Sequence, residues 1–263
     1  MTDASDLLAL AEEIAREAGE LARTRRDEGV RIAATKSALA DIVTDADREV
    51  EALVRDRLAA ARPGDGFVGE ESAPSPGTSG ITWIVDPIDG TVNYAYGIPH
   101  YAVSIGAVSG EPTPETWTAE IGVVFNPAVG ELFRAARGEG AWLGGRRLAV
   151  STPTDAGALV ATGFGYDPAT HAQDLERVRR VMPLARDLRR EGAASLDLAY
   201  VAAGRLDGYF ERGLHPWDHA AGALLVGEAG GRVGGLSTPF PGREMTIAAG
   251  PALFDALRAA ISS

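Results

Sequence analysis

Apolar residues recur at helical spacing from Ser5 to Arg26, with Leu7, Leu8, Ala11, Ile14, Ala15 and Ala18 on one face, and predict a long amphipathic helix. A second helix is predicted from Thr44, with Val50, Leu53, Val54 and Leu58 turned inward, ending before Pro63. Apolar runs at 66–69, 82–86, 102–109, 119–125 and 131–136 are separated by Gly, Pro and Ser clusters and predict strands. "APSPGTSG", Ala73 to Gly80, reads as a surface loop. Beyond about residue 150 the two periods alternate. Strands at 158–162, 186–190, 207–211 and 246–249 interleave with helices at 171–182, 193–203, 218–229 and 251–261. This order predicts an α+β first half (1–145) and an α/β second half (146–263), layered as one unit (1–263) with no internal repeat.

Composition narrows the classes. At 263 residues the chain can bury a sizeable core, and 45% hydrophobic with 24% charged residues is ordinary for a globular protein. No apolar run has the length of a membrane span, and the N-terminal "MTDASDLLALAEE" is acidic where a signal peptide would be basic. With no cysteine there is no disulfide, thiolate zinc site or cysteine nucleophile, and a cytoplasmic location is expected. A net charge of -12 argues against nucleic acid as the main partner. Of 25 basic residues, Lys36 is the single lysine.

The sharpest chemistry lies in "WIVDPIDGTVNY", Trp83 to Tyr94. An apolar strand runs into Asp86, with a second carboxylate at Asp89 in a tight Pro-Gly turn. Like charges ~4 Å apart repel by about 4 kcal/mol at an effective dielectric near 20, so something must compensate. Two other places join acids to turns after apolar stretches: "GEES" (Gly69 to Ser72) and "WDHAAG" (Trp217 to Gly222). Carboxylate and carbonyl oxygens suit hard divalent cations, and Mg²⁺ pairs with phosphate substrates. Glu70, Asp86, Asp89 and Asp218 carry four charges that two Mg²⁺ ions would balance. Pro87 fixes the turn so that both carboxylates face one side. Gly90-Thr91 opens a short helix whose first amides would cradle a phosphate.

Simpler roles stand beside these. Asp218 suits a helix cap after Pro216-Trp217, and Thr44-x-x-Asp47 suits a capping box. His100, His171, His215 and His219 show no paired metal-ligand spacing and read as structural. Asp45-Ala46-Asp47 resembles the covalent-aspartate phosphatases, but Glu49 occupies the place where those need Thr or Val. Neither a nucleotide P-loop nor a G-x-S-x-G elbow is present.

"GEES", "WIVDPIDGTVNYAYGIPHYAVSIG" and "WDHAAGALLVGEAGG", with Lys36 and "DIVTDAD" (Asp41 to Asp47), together resemble the signature regions of the inositol monophosphatase family. The resemblance covers about Lys36 to Gly231. It implies a layered αβαβα sandwich, Mg²⁺ dependence, lithium sensitivity and a homodimer. It also implies a first metal on Glu70, Asp86 and the Ile88 carbonyl, and a second on Asp86, Asp89 and Asp218. The implied reaction is direct attack of a metal-activated water on a phosphate monoester. Glu70 and Thr91 would position that water, with Asp47 accepting from the Thr91 hydroxyl. Lys36 would supply positive charge, or steady the waters of a weaker third metal. Substrate contacts would come from Asp89, Gly90, Thr91, Ala193, Glu211 and Asp218.

Val92 resembles the inositol phosphate branch rather than the adenosine bisphosphate or histidinol phosphate branches, which more often carry lysine there. Glu211 matches a family position that contacts substrate hydroxyls. Ala193 departs from the Ser or Thr of many relatives, which bears on substrate contacts and not on the metals. The expected activity is hydrolysis of inositol monophosphate or a similar polyol phosphate. The rivals are a fructose 1,6-bisphosphatase or histidinol phosphatase on the same fold, and a non-catalytic regulatory module.

Overall fold

The computed structural model describes residues 4–30, 32–35 and 42–262. Lys36 and Asp41 lie outside them. The first half runs α1 (Ala4–Glu28), β1 (Ile32–Thr35), β2 (Ile42–Thr44), α2 (Asp45–Ala61), β3 (Gly66–Gly69), β4 (Ile81–Asp89) and α3 (Thr91–Tyr96). It continues through β5 (Ala102–Ser109), β6 (Thr118–Asn126), β7 (Glu131–Ala136), β8 (Gly140–Leu143) and β9 (Arg146–Arg147). The second half runs β10 (Ala158–Thr162), α4 (His171–Val181), β11 (Ala185–Arg189), α5 (Ala194–Ala202) and β12 (Gly208–Glu211). It closes with α6 (Pro216–Glu228), β13 (Arg232–Gly234), β14 (Thr246–Ala249) and α7 (Pro251–Ser262).

Among the described residues β3 to β9 form a seven-stranded sheet in sequence order, antiparallel except where β3 meets β4. A five-stranded mixed sheet has the order β11-β10-β12-β14-β13. Because alternate residues of a strand face opposite sides, β4 to β6 are apolar on both faces and carry a layer on each. Ile14, Ala18, Val50 and Val54 of α1 and α2 pack on Trp83, Val85, Ile105 and Val123. On the other face Val124, Phe133 and Ala135 meet Leu196, Ala221 and Leu225 of α5 and α6, which also cover Ala161, Tyr209 and Ala248 of the second sheet. Beyond that sheet, Val160, Phe210 and Ile247 pack on Val181 of α4 and on Phe254 and Leu257 of α7. The layers are therefore helix, sheet, helix, sheet, helix, the αβαβα sandwich the sequence led us to expect. No helix among the described residues is long and apolar enough to cross a membrane.

One contact positions the site. Gly106 and Gly122 lie opposite each other in β5 and β6, under α6. A Cβ on Gly122 would stand 2.8 Å from the Ala221 carbonyl oxygen, so the bare backbone lets α6 lie directly on the sheet. The N-terminus of α6 then reaches the end of β4.

Candidate active site

The site forms where β4 stops. Residues three apart in a regular strand point to opposite faces, yet Asp86 and Asp89 line the same cleft. A bulge reconciles the two observations. Asp86 pairs with Ser104 and Asp89 with Ala102, so the β4 side of the ladder holds one more residue than the β5 side. Pro87, which has no N–H to offer, sits in the bulge, and the Ile88 amide donates to Asp86 Oδ1 at 3.1 Å. Gly90 follows with φ +89, a left-handed conformation that turns the chain into α3.

Both carboxylates are buried, Asp86 at 2% exposure and Asp89 at 8%. Burial pushes the Asp86 carboxyl well above its usual range, and the neighbours that push it further are Glu70, Asp89, Asp218 and Asp47, all acids. Burial likewise raises Asp218, with Asp89 and Glu70 adding to the effect. Asp89 is pushed up to about 6 by burial, opposed by hydrogen bonds from the start of α5. Ala194 N donates to its Oδ1 at 3.2 Å, and Ser195 N and Oγ donate to its Oδ2 at 2.7 and 2.5 Å. Asp89 therefore caps α5 as well as facing the cleft.

The other expected residues are brought in by separate elements. Glu70 follows β3, in a loop tied to α2 by the Glu71 amide donating to buried Glu51 at 2.7 Å. Asp47 combines both roles anticipated for it. Its Oδ2 accepts from Thr44 N at 2.8 Å and Thr44 Oγ1 at 2.5 Å, closing the capping box, while its Oδ1 accepts from Thr91 Oγ1 at 3.1 Å. Burial pushes Asp47 up to about 6. Thr91 Oγ1 also lies 3.1 Å from the Ile88 carbonyl, and its one hydrogen serves a single acceptor at a time. Asp218 is the third residue of α6 and accepts from His215 N at 2.7 Å, a capping bond made by a cleft-lining group.

These groups open into a cleft of about 540 Å³. Glu211, pushed up to about 7 by burial, accepts from Tyr209 Oη at 2.6 Å on one wall. Arg190, Arg212 and Arg243 also line the cleft and set positive charge among its acids. Ala193 corrects a sequence expectation. It is 1% exposed and wedged beneath Gly90, where a Cβ would meet its own Cβ at 3.1 Å. Its neighbours Gly192 and Ala194 face the cleft in its place.

A sequence model of the inositol monophosphatase family matches residues 3–262. The chain belongs to the inositol monophosphatase family. It is 45% identical to the inositol-1-monophosphatase SuhB of Mycobacterium tuberculosis, over 97% of this chain and 93% of that relative. It is 42% identical to the protein called Nus factor SuhB in Escherichia coli K12, over 86% of this chain and 84% of that one. The crystal structure of the extragenic suppressor protein SuhB from Bartonella henselae superposes with a TM-score of 0.89 at 36% identity, covering 98% and 99% of the two chains.

Within this family framework, several contributors had no sequence signal of their own. Ser195 and Ala194 orient Asp89 across 106 and 105 residues of chain, and Glu51 holds the Glu70 loop across 20. Asn93 Nδ2 bridges the His100 and Glu191 carbonyls at 2.8 and 2.7 Å, locking α3 to the turn before α5. The cleft arginines could be found only by knowing which loops meet.

Proposed function

We propose that this chain is a Mg²⁺-dependent phosphomonoesterase acting on inositol monophosphate or a similar polyol phosphate. The observation that supports this most is the gathering of Glu70, Asp86, Asp89 and Asp218 around one cleft, beside the Thr91–Asp47 hydrogen bond. The donor set fits the ion. Every candidate ligand is an oxygen, the Ile88 carbonyl included, and the charges acting on Asp86 are all of its own sign. Such clustering is unfavourable without a cation. Mg²⁺ keeps several of its own waters, so the protein need not supply a closed cage.

On this reading Glu70, Asp86 and Ile88 O would hold one ion, and Asp86, Asp89 and Asp218 would hold the other. Bound there, Mg²⁺ would neutralise phosphate charge and acidify water near neutral pH. The Thr91 hydroxyl donates to Asp47 and offers its lone pairs to the attacking water, so a proton can pass along Thr91 to Asp47 Oδ1. Glu70 holds the same water from the other side. Gly90 and Thr91 face the phosphate, and Glu211 faces the hydroxyls of the leaving alcohol. Water attacks phosphorus as its proton passes through Thr91 to Asp47, the ester P–O bond breaks, and the leaving alkoxide takes a proton from solvent water.

A regulatory role beside catalysis is a second reading, favoured by the name Nus factor given to the E. coli relative. The intact acid set supports an enzyme. The test is phosphate release from a panel of inositol, sugar and histidinol phosphates with Mg²⁺ or chelator. Mg²⁺-dependent turnover that favours inositol monophosphate is expected. Preference for fructose 1,6-bisphosphate or histidinol phosphate would move the assignment within the fold, and no turnover on any member would overturn it.

A further inference from the structure

Behind the cleft floor a second group of metal-ligating side chains meets, and the proposed hydrolysis makes no use of it. His100 lies before β5, Glu191 in the turn before α5, and Asp197 in the first turns of α5. One ligand atom from each lies within 4.8 Å of the other two, and no other His or acid group of three or more among the described residues meets this condition. His100 Nε2 is 3.5 Å from Glu191 Oε2 and 3.9 Å from Asp197 Oδ1.

A second observation, independent of the clustering, concerns satisfaction. Asp197 is 0% exposed, and neither carboxylate oxygen has a hydrogen-bond partner; buried His100 Nε2 has none either. Buried polar atoms are nearly always partnered, and the orphaned His100 Nε2 and Asp197 Oδ1, 3.9 Å apart, need a common partner. Protonating Asp197 would supply at most one bond, and the Arg190 charge that acts on Asp197 makes no hydrogen bond to it. A cation between the three side chains would partner both atoms.

We propose that His100, Glu191 and Asp197 form a separate site for a first-row divalent cation of the Zn²⁺ class. One imidazole nitrogen and two carboxylate oxygens are a borderline-soft set, which suits Zn²⁺ better than Mg²⁺. With bonds of about 2.1 Å, a tetrahedral edge is about 3.4 Å, close to the 3.5 Å separation and slightly inside the 3.9 Å one. The frame is held in advance, since Asn93 fixes the carbonyls of both His100 and Glu191 and the Tyr200 ring meets the imidazole edge-on at 5.6 Å. The His100 and Glu191 side chains keep 14% and 29% exposure, which leaves an entry path and room for a water as fourth ligand. A cation here would tie the segment after α3 to α5, the helix whose first amides hold Asp89.

The test is calorimetric titration of Zn²⁺ into the full chain in excess Mg²⁺, with Co²⁺ absorption as a second readout. Wild type is expected to bind one Zn²⁺ that Glu191→Gln and His100→Gln bind at least tenfold more weakly. Bound Co²⁺ should show the intense visible bands of a low-coordinate, histidine-containing site, unlike the weak bands of all-oxygen sites. Melting temperature should rise with Zn²⁺ in wild type and not in Glu191→Gln. Equal Zn²⁺ stoichiometry and affinity in all three proteins would overturn the site, as would a Co²⁺ spectrum with weak bands alone.

Discussion

Thr91 shows how much of the chemistry rests on single atoms. Its hydroxyl can donate to Asp47 Oδ1 or to Ile88 O, each 3.1 Å away, and both acceptors belong to the proposed machinery. Thr91→Ala should therefore lower kcat by about 10²-fold or more with little change in KM, because the lost group orients water and moves a proton. Steady-state kinetics decide this, and a change confined to KM would make Thr91 a phosphate contact instead. Glu211 acts on the other side of the bond. With its carboxyl pushed up to about 7, it can donate to or accept from a polyol hydroxyl near neutral pH. Glu211→Gln should alter discrimination among polyol phosphates and spare an aryl phosphate, and a uniform loss over both would assign it a structural role. At this scale the sequence was legible where motifs carry their own spacing, as at Asp86, Asp89 and Asp218. It was silent on Ser195, whose partner lies 106 residues away, and it chose Ala193 where Ala194 faces the cleft.

Among the elements, the helices α1, α2, α6 and α7 and the central strands were readable because each carries a full period of apolar positions. The strands β8, β9 and β13 were not, being two to four residues long with glycine inside or beside them. The β4 bulge was also hidden. The sequence marks a turn at Pro87, whereas Asp89 remains in the ladder opposite Ala102. The seat of α6 gives a test of how element packing sets the site. A side chain on Gly122 would meet helix backbone, the Ala221 oxygen at 2.8 Å and Cα at 2.9 Å, neither of which can swing aside. Gly122→Val should destabilise by about 1–3 kcal/mol in denaturant titration, as overpacking does, and should raise the Mg²⁺ concentration needed for activity by displacing Asp218. Loss of stability with an unchanged Mg²⁺ requirement would separate the α6 seat from the metal site.

For the whole molecule, which carries a net charge of -12, six acids from several elements share one cleft. Asp47 and Asp89, ordinarily 3.8, rise to about 6, and Glu211, ordinarily 4.5, rises to about 7. A carboxyl raised on folding binds more protons folded than unfolded, so its contribution to stability is lost as pH rises through that interval, about 4 to 7. Buried His219, held at about 3 rather than 6.5, works in the opposite sense, but equally with and without metal. Surface Glu176, held at about 2 by Arg179, is ionised throughout the range above pH 5. The gain in melting temperature on adding Mg²⁺ should therefore be larger at pH 8 than at pH 5.5. An equal gain at both values would mean that Mg²⁺ binds away from these carboxyls.

The central claim is that the acids of the β4 turn exist to hold Mg²⁺ against a phosphate ester, and Asp89→Asn tests it most directly. The substitution removes the charge but keeps only one of the two oxygens that accept from the α5 amides, so melting temperature is needed to tell lost capping from lost metal binding. The measurement is kcat for phosphate release from inositol monophosphate across a Mg²⁺ titration, with melting temperature recorded for both proteins. The account predicts a fall of about 10²-fold or more in a protein that stays folded. Near wild-type turnover at the same Mg²⁺ concentration would contradict it.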